Sequence, residues 1–270
     1  MKKKLILLLA LTITLIALSG CDESTIDLEE LQARLIAANA NIDTYDFEID
    51  MDMKTSMMML GQNMDLDMEM KYTGAIDRPN QKLYMTGVMT SNIMGMNMDI
   101  DMDVYLVDGQ MYTKTMNQWM REPFDESAWS DQDQIEQSIE LIQSGTIALE
   151  REARMKGKQY YVVSIKPDLK KLTEIVLQEQ ELGQLDLDIN FEDVIKEYTL
   201  TIWVNKQTFI IDRSESYVVM SFTPEDLGEI GDEEIKMVFK SDTTINNVNK
   251  PVNIVLPEEA KRAREQPFFY

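Results

Sequence analysis

Histidine is absent from the 270 residues, cysteine occurs once, and 26 basic side chains stand against 48 acidic ones. Without histidine there is no Ser-His or Cys-His nucleophile and no imidazole metal site, which removes most hydrolytic mechanisms open to a secreted protein. A single cysteine forms no intrachain disulfide, so the fold must rest on a hydrophobic core. Scarcity of cations argues against nucleic acid as a partner, because binding it requires a basic face that releases counterions. No nucleophile has a base beside it, so neither an enzyme nor a cofactor is expected. Beyond residue 20 no further apolar run reaches bilayer length.

What is present begins with Lys2, Lys3 and Lys4, followed by an apolar run over residues 5–18. That run is shorter than the roughly 20 residues of a bilayer span and fits the core of a secretory signal. It closes on Leu18-Ser19-Gly20-Cys21, which resembles a bacterial lipobox. The expectation is a lipoprotein signal peptide at 1–20, a lipidated tether at 21–24 and one domain over 25–270. Cys21 would carry acyl chains such as palmitate, each buried methylene adding about 0.8 kcal/mol to membrane attachment. The mature protein is then extracytoplasmic and lipid-anchored in the cell membrane. The alternative is an uncleaved anchor with an incidental cysteine. Loss of the three lysines leaves 23 basic against 48 acidic side chains, a net charge of −25.

Beyond the tether, Ser24 or Thr25 is a candidate cap for a helix with Leu28, Leu31, Leu35 and Ala38 at helical spacing. From Tyr45 the period changes to two, the mark of a half-buried strand. Similar strands are expected at 64–72, 82–90, 94–106 and 110–114, with Asp108-Gly109 as a tight hairpin turn. A helix capped by Ser130 and striped with Ile135, Ile139 and Ile142 follows, then a hairpin of 149–155 and 160–166. Pro167 is placed to open a further helix carrying Leu169, Leu172 and Val176. Strands at 198–204, 209–222, 235–245 and 252–256 and a helical turn over 258–264 complete the chain. Strands that succeed one another without crossover helices argue for an α+β fold, an antiparallel sheet with helices packed on one face.

Seventeen of the 21 methionines fall between Met51 and Met120. The stretches "NMDLDMEMKY" and "NMDIDMDVYL" alternate them with carboxylates, giving strands with a thioether face and an acidic face. Methionine is unbranched and polarizable and adapts to irregular partners, so a sheet lined with it could accept acyl chains. The candidate lining is Met51, Met53, Met64, Leu66, Met68, Met70, Met96, Met98, Ile100 and Met102. The same side chains could equally fill a core beneath the helices. Cu(I) is a sharper alternative, with Met94, Met96 and Met98 on one strand face, although strand neighbours two apart are separated by about 6.6 Å. Met57-Met58-Met59-Leu60 and Ile93-Met94 break the alternation at hairpin ends, where they could cover a cavity mouth, dip into a membrane or pack on a neighbouring loop. The acids Asp50, Asp52, Asp65, Asp67, Glu69, Asp99, Asp101 and Asp103 form the other face, expected to be solvated. No loop has an EF-hand pattern, and no metal ligand is assigned.

Four stretches together resemble the LolA, LppX and LprG-like lipoproteins of bacterial envelopes. They are the lipobox at 18–21, the helix leading into "NIDTYDFEIDMDMK", the hairpin "VYLVDGQMYTKTMNQWM", and "TTINNVNKPVNIVLPEEAKRA", in which Asn-x-Pro-Val leads to Pro-Glu-Glu-Ala. The resemblance implies a large, curved, half-open antiparallel sheet, a half-barrel, with helices on its concave face and a hydrophobic cavity between them. In that group the cavity holds lipid or lipoprotein acyl chains. LolA itself is a soluble shuttle, whereas Cys21 would tether this chain, and no position matches a family-specific cavity arginine. The reading is a membrane-anchored binder of a lipid or acyl chain, with an envelope protein as a further partner and no nucleic acid. The rival readings are an interaction lipoprotein with a filled core and, behind it, a Cu(I) metallochaperone.

Overall fold

The computed structural model describes residues 26–59, 62–93, 96–124, 129, 133–170, 191–223 and 234–265. The signal segment, Cys21, Ser24, Thr25, Leu60, Met94, Ser130, Leu172 and Val176 lie outside the described residues. Period-two alternation is realised as strands β1 (Thr44–Met59), β2 (Gln62–Asp77), β3 (Lys82–Ile93), β4 (Met96–Val107), β5 (Gln110–Thr115) and β6 (Gln118–Pro123). After a helix over Gln134–Ser144 come β7 (Thr146–Met155), β8 (Lys158–Lys166), β9 (Ile195–Asn205), β10 (Ile211–Phe222) and β11 (Ile235–Asn246). A two-residue β12 (Arg264–Glu265) closes the series.

All twelve strands lie in one sheet, ordered β12-β6-β5-β4-β3-β2-β1-β11-β10-β9-β8-β7. The chain starts near the middle with β1 and meanders outward to β6. It then crosses to the opposite edge at β7 and meanders back until β11 pairs with β1. Every pairing is antiparallel except the short β12–β6 contact. The crossover from β6 to β7 contains α2 (Gln134–Ser144), so the topology itself lays that helix across the sheet. The result is a curved, open α+β half-barrel with helices on its concave face, the inner face below.

Local sequence explains the tight places. Asp108 and Gly109 both adopt positive φ, 54° and 70°, as the two-residue turn between β4 and β5 requires. Lys156 and Gly157 do the same between β7 and β8, at 48° and 83°. On the inner face Phe47 stands opposite Gly74, and Tyr72 opposite Gly87. A Cβ on Gly74 would lie 2.2 Å from the Tyr84 carbonyl oxygen and 2.5 Å from the Phe47 ring. At Gly87 it would lie 2.1 Å from the Lys71 carbonyl oxygen and 2.4 Å from the Tyr72 ring. The two aromatic rings occupy the space that these glycines leave empty.

Helix α1 (Leu28–Ala40) is capped by Asp27, whose carboxylate accepts from the backbone N–H of Glu29 and Glu30. It buries Leu31 and Leu35 against Ile147, Val163, Ile202 and Val204 of the sheet. Helix α2 sets Ile135 into a second cluster with Tyr45, Phe47, Ile49, Tyr72 and Leu106, while Ile142 joins the first. Each fully buried side chain of this kind contributes about 1.5–3 kcal/mol.

The structure corrects several expectations. Asp27 and Asp133 are the caps; each lies adjacent to its helix, and a carboxylate there also favours the positive end of the helix dipole. Leu28 is exposed rather than packed, being in the first turn, short of the sheet. Residues 252–256 form no strand. The preceding chain is instead held by Asn249, which accepts from the backbone N–H of Asp43 and donates to the Asn41 carbonyl. The helical turn over 258–264 shrinks to Ala260–Arg262, followed by β12. Residues 169 and 170 are helical, as expected after Pro167.

Candidate functional site

Directly paired residues on neighbouring strands share a face, so the registers place all ten candidate lining residues. Met51 pairs with Met70, Met53 with Met68, and Leu66 stands opposite Thr55. Met57 pairs with Met64. On β4, Met96, Met98, Ile100 and Met102 stand opposite Ile93, Ser91, Met89 and Gly87. All ten lie on the inner face, with the helices. They separate into two groups along it. Met51, Met70 and Met102 pack against the helix-covered core, and Met53 is buried. Met64, Leu66, Met68 and Ile100 are only partly covered, while Met96 and Met98 are 70% and 46% exposed. Among the described residues no helix packs on this distal group.

Where α2 crosses the sheet, a cavity of about 260 Å³ remains between helix and strands. Its apolar wall includes Ile49, Met51, Ile135, Ile142, Leu200 and Ile202. Of the ten candidates only Met51 lines it. The cavity exists because the floor is built from small side chains. Thr243 and Ser214 stand opposite each other across β10 and β11, and Ser241 and Ser216 form the next inner-facing pair. Ile49 flanks Thr243, and Met51 flanks Ser241. Ile202 and Leu200 flank the serines on the other side. Ser214, Ser241 and Thr243 therefore make a polar patch in the cavity floor, with Ser216 adjoining in register and Gln137 and Ser138 on the α2 side. The hydroxyls of Ser216 and Ser241 lie 2.9 Å apart in a mutual hydrogen bond. No charged side chain lines the space among the described residues. Further out, Ser91 is buried between Met68 and Met98, its hydroxyl without a partner among the described residues.

Polar contacts fix the roof. Asp133, 2% exposed, accepts from the N–H groups of Ile135 and Glu136 and from Arg78 Nε at 2.5 Å. At the other end of α2, Gln32 of α1 donates to the Ile142 carbonyl at 2.6 Å. Asn39 ties α1 to the β9–β10 connection, donating to the Leu35 and Phe209 carbonyls and accepting from Ile211 N–H. Burial pushes the Tyr45 hydroxyl far above its usual pKa, and the nearby Asp133 carboxylate adds to the shift.

The acidic face is solvated, as expected: seven of its eight named acids are exposed, and Asp103 is half-buried between Lys114 at 3.1 Å and Thr86. Asp50 and Asp242 stand directly opposite each other, and Arg213 offsets that repulsion by binding Asp242 through Nε and Nη2 at 2.9 and 2.5 Å. Three wider recesses open on this face, about 360, 430 and 420 Å³, and carboxylates and lysines line all three. Among the described residues no three acids converge to hold a metal ion. Of the residues named for Cu(I), Met96 and Met98 stand at the register positions opposite residues 93 and 91, and Met94 lies outside the described residues.

Residues 27–265 match the model of DUF6612, a family of unknown function. The chain belongs to DUF6612. No curated protein matches this DUF6612 member in sequence. Its structure is similar to lipoprotein LppX of Mycobacterium tuberculosis, at 12% identity and a TM-score of 0.41, covering 85% of this chain and all of LppX. It is also similar to LprF of Mycobacterium bovis, at 12% identity and a TM-score of 0.45, over 85% and 97% of the two chains. A LolA-superfamily protein of Nitrosomonas europaea aligns over 87% and 97% at 10% identity and a TM-score of 0.26. LppX and the LolA superfamily are among the groups that the sequence resembles. The likeness is one of chain course, so the site of this DUF6612 protein rests on its own residues.

The hydroxyl floor escaped sequence reasoning. In "IKMVFKSDTTIN" the inner positions run Ile235, Met237, Phe239, Ser241, Thr243, Ile245. The signal was the continuation of an apolar alternation through two hydroxyl residues.

Proposed function

We propose that this DUF6612 protein is a membrane-anchored, extracytoplasmic lipoprotein that binds a hydrophobic ligand, a lipid or acyl chain, on its inner face. Cys21 provides the anchor, and the protein acts by binding rather than by catalysis. The observation that carries the reading is the continuity of apolar surface from the cavity beneath α2, through Met51 and Met70, to the partly exposed Met64, Met68, Met96 and Met98. A soluble domain rarely leaves such a stripe on the face that also bears its core, unless something else covers it. Methionine suits a surface that alternates between solvent and chains of varied shape. The ten inner-face residues named from the sequence are the proposed contacts, with the cavity residues added. An envelope protein partner that delivers or receives the ligand fits the anchored location.

The filled-core reading draws support from cavity size. About 260 Å³ is just below the roughly 300 Å³ at the low end of ligand pockets. Titration with the neutral fluorescent probe N-phenyl-1-naphthylamine separates the two readings: saturable enhancement at micromolar protein supports the lipid binder, and absence of enhancement supports the filled core.

A further inference from the structure

The inner face turns polar beneath α2, where Ser214, Ser241 and Thr243 line the cavity, Ser216 adjoins them in register, and Gln137 and Ser138 of α2 line the opposite side. A buried hydroxyl is costly when its partner is taken away. Bare hydrocarbon resting on this floor would remove water from the Ser214 and Thr243 hydroxyls and return no hydrogen bond, while Ser216 and Ser241 keep only the one they share. A carboxylate or phosphate would gain donors but lose its hydration with no cation beside it, since no charged side chain lines the cavity among the described residues. The group that satisfies the floor without that cost is polar and uncharged. Ser91 points to the same chemistry: a second buried hydroxyl, 3% exposed and without a partner among the described residues, on the methionine stripe between Met68 and Met98.

From this we infer that the hydroxyl block selects a neutral lipid, one whose chains meet at an uncharged ester or alcohol group, over a fatty-acid anion. The inference rests on the lipid-binding reading and adds the ligand's class. In the bound state the ester carbonyl accepts from Ser214 or Thr243, the Ser216–Ser241 pair supplies a further hydroxyl, and the chains run outward over Met51 and Met70. Hydroxyls exchange donor and acceptor roles by rotation, so the floor serves an ester carbonyl and an alcohol alike.

The test is displacement of N-phenyl-1-naphthylamine from the chain after Cys21, which contains the whole described fold. Two competitors of equal chain length are compared, 1-monopalmitoylglycerol and palmitate, at about pH 8, where the acid is ionised. The wild type is expected to favour the ester at least tenfold, equivalent to about 1.4 kcal/mol. The variant Ser214→Ala/Thr243→Val, which removes two hydroxyls at nearly constant shape, is expected to reduce that preference to about twofold. Palmitate binding as tightly as the ester overturns the inference and leaves lipid binding intact. So does a folded variant that keeps the tenfold preference. If the variant does not fold, the wild-type comparison decides alone. Failure of both competitors and of the probe to bind overturns the lipid-binding reading and this inference together.

Discussion

Arg78 and Asp133 form an ion pair of 2.5 Å across 55 residues of sequence, with Asp133 only 2% exposed. Arg78 sits in the turn after β2 and also donates to the Ile42 carbonyl at 2.6 Å, while Asp133 caps α2. One carboxylate thus fixes both the start of the helix that roofs the cavity and its seat on the sheet. Removing one partner of a buried pair leaves the other charge uncompensated and costs about 3–5 kcal/mol. Asp133→Ala should lower unfolding stability by that amount in urea titrations. Asp133→Asn, which keeps a capping acceptor, should lose less. An Asp133→Ala variant within about 1 kcal/mol of wild type would contradict this role.

Tyr45 lies beside that pair with its hydroxyl buried and unpartnered among the described residues. Burial raises its pKa, and burial raises that of Tyr198 to about 12. A tyrosine freed by unfolding titrates near 10. Below that value both states hold the proton and stability is unaffected by pH; above it the unfolded chain releases protons that the folded one retains, so stability falls as pH rises from about 10 to about 12. Melting curves across this window should show the fall, and Tyr45→Phe should reduce it. At neutral pH, Tyr45→Phe should leave stability unchanged or raise it by about 1 kcal/mol, since it deletes an unpaired polar group. A loss above about 1 kcal/mol at neutral pH would show that the hydroxyl has a partner.

Gly74 and Gly87 each receive an aromatic ring from the neighbouring strand. Because backbone carbonyl oxygens stand 2.2 and 2.1 Å from the missing Cβ positions, the strain cannot be relieved by a side-chain rotation. Gly74→Ala and Gly87→Ala should each destabilise by about 1–3 kcal/mol, measured by chemical denaturation. Equal stability of either variant would contradict the close approach of the neighbouring backbone at these glycines.

Met96 and Met98 are exposed and belong to no core cluster. Met96→Gln/Met98→Gln should therefore change unfolding stability by no more than about 0.5 kcal/mol. On the proposed function the same variant should weaken lipid binding several-fold, because polar groups would replace apolar contact. Unchanged affinity would remove β4 from the site.

Much of this arrangement was legible because the sheet is half-buried. Period-two alternation located β1 to β5 and β7 to β11 and put ten lining candidates on one face, and Asp108-Gly109 announced its own turn. The ends were harder. β6 reads "QWMREP" and β12 "RE", too short and polar for alternation to register, and their pairing depends on partners distant in sequence. Asp133 was passed over as a cap because its partner Arg78 is visible only in three dimensions. The cavity was displaced from its expected place for a related reason. Methionine drew attention to β1, β2 and β4, whereas the space opens where small serines and a threonine on β10 and β11 meet α2. Side-chain size across a helix–sheet contact is a tertiary property that strand periodicity does not encode.

Native mass spectrometry of the protein, purified from its host in detergent and released from it in the gas phase, tests the central claim most directly. The account predicts a population carrying one neutral lipid in addition to any acyl chains proposed on Cys21, lost on mild activation and diminished in Met96→Gln/Met98→Gln. A single unliganded mass for a fully folded protein, unchanged after incubation with neutral lipid vesicles, would contradict it.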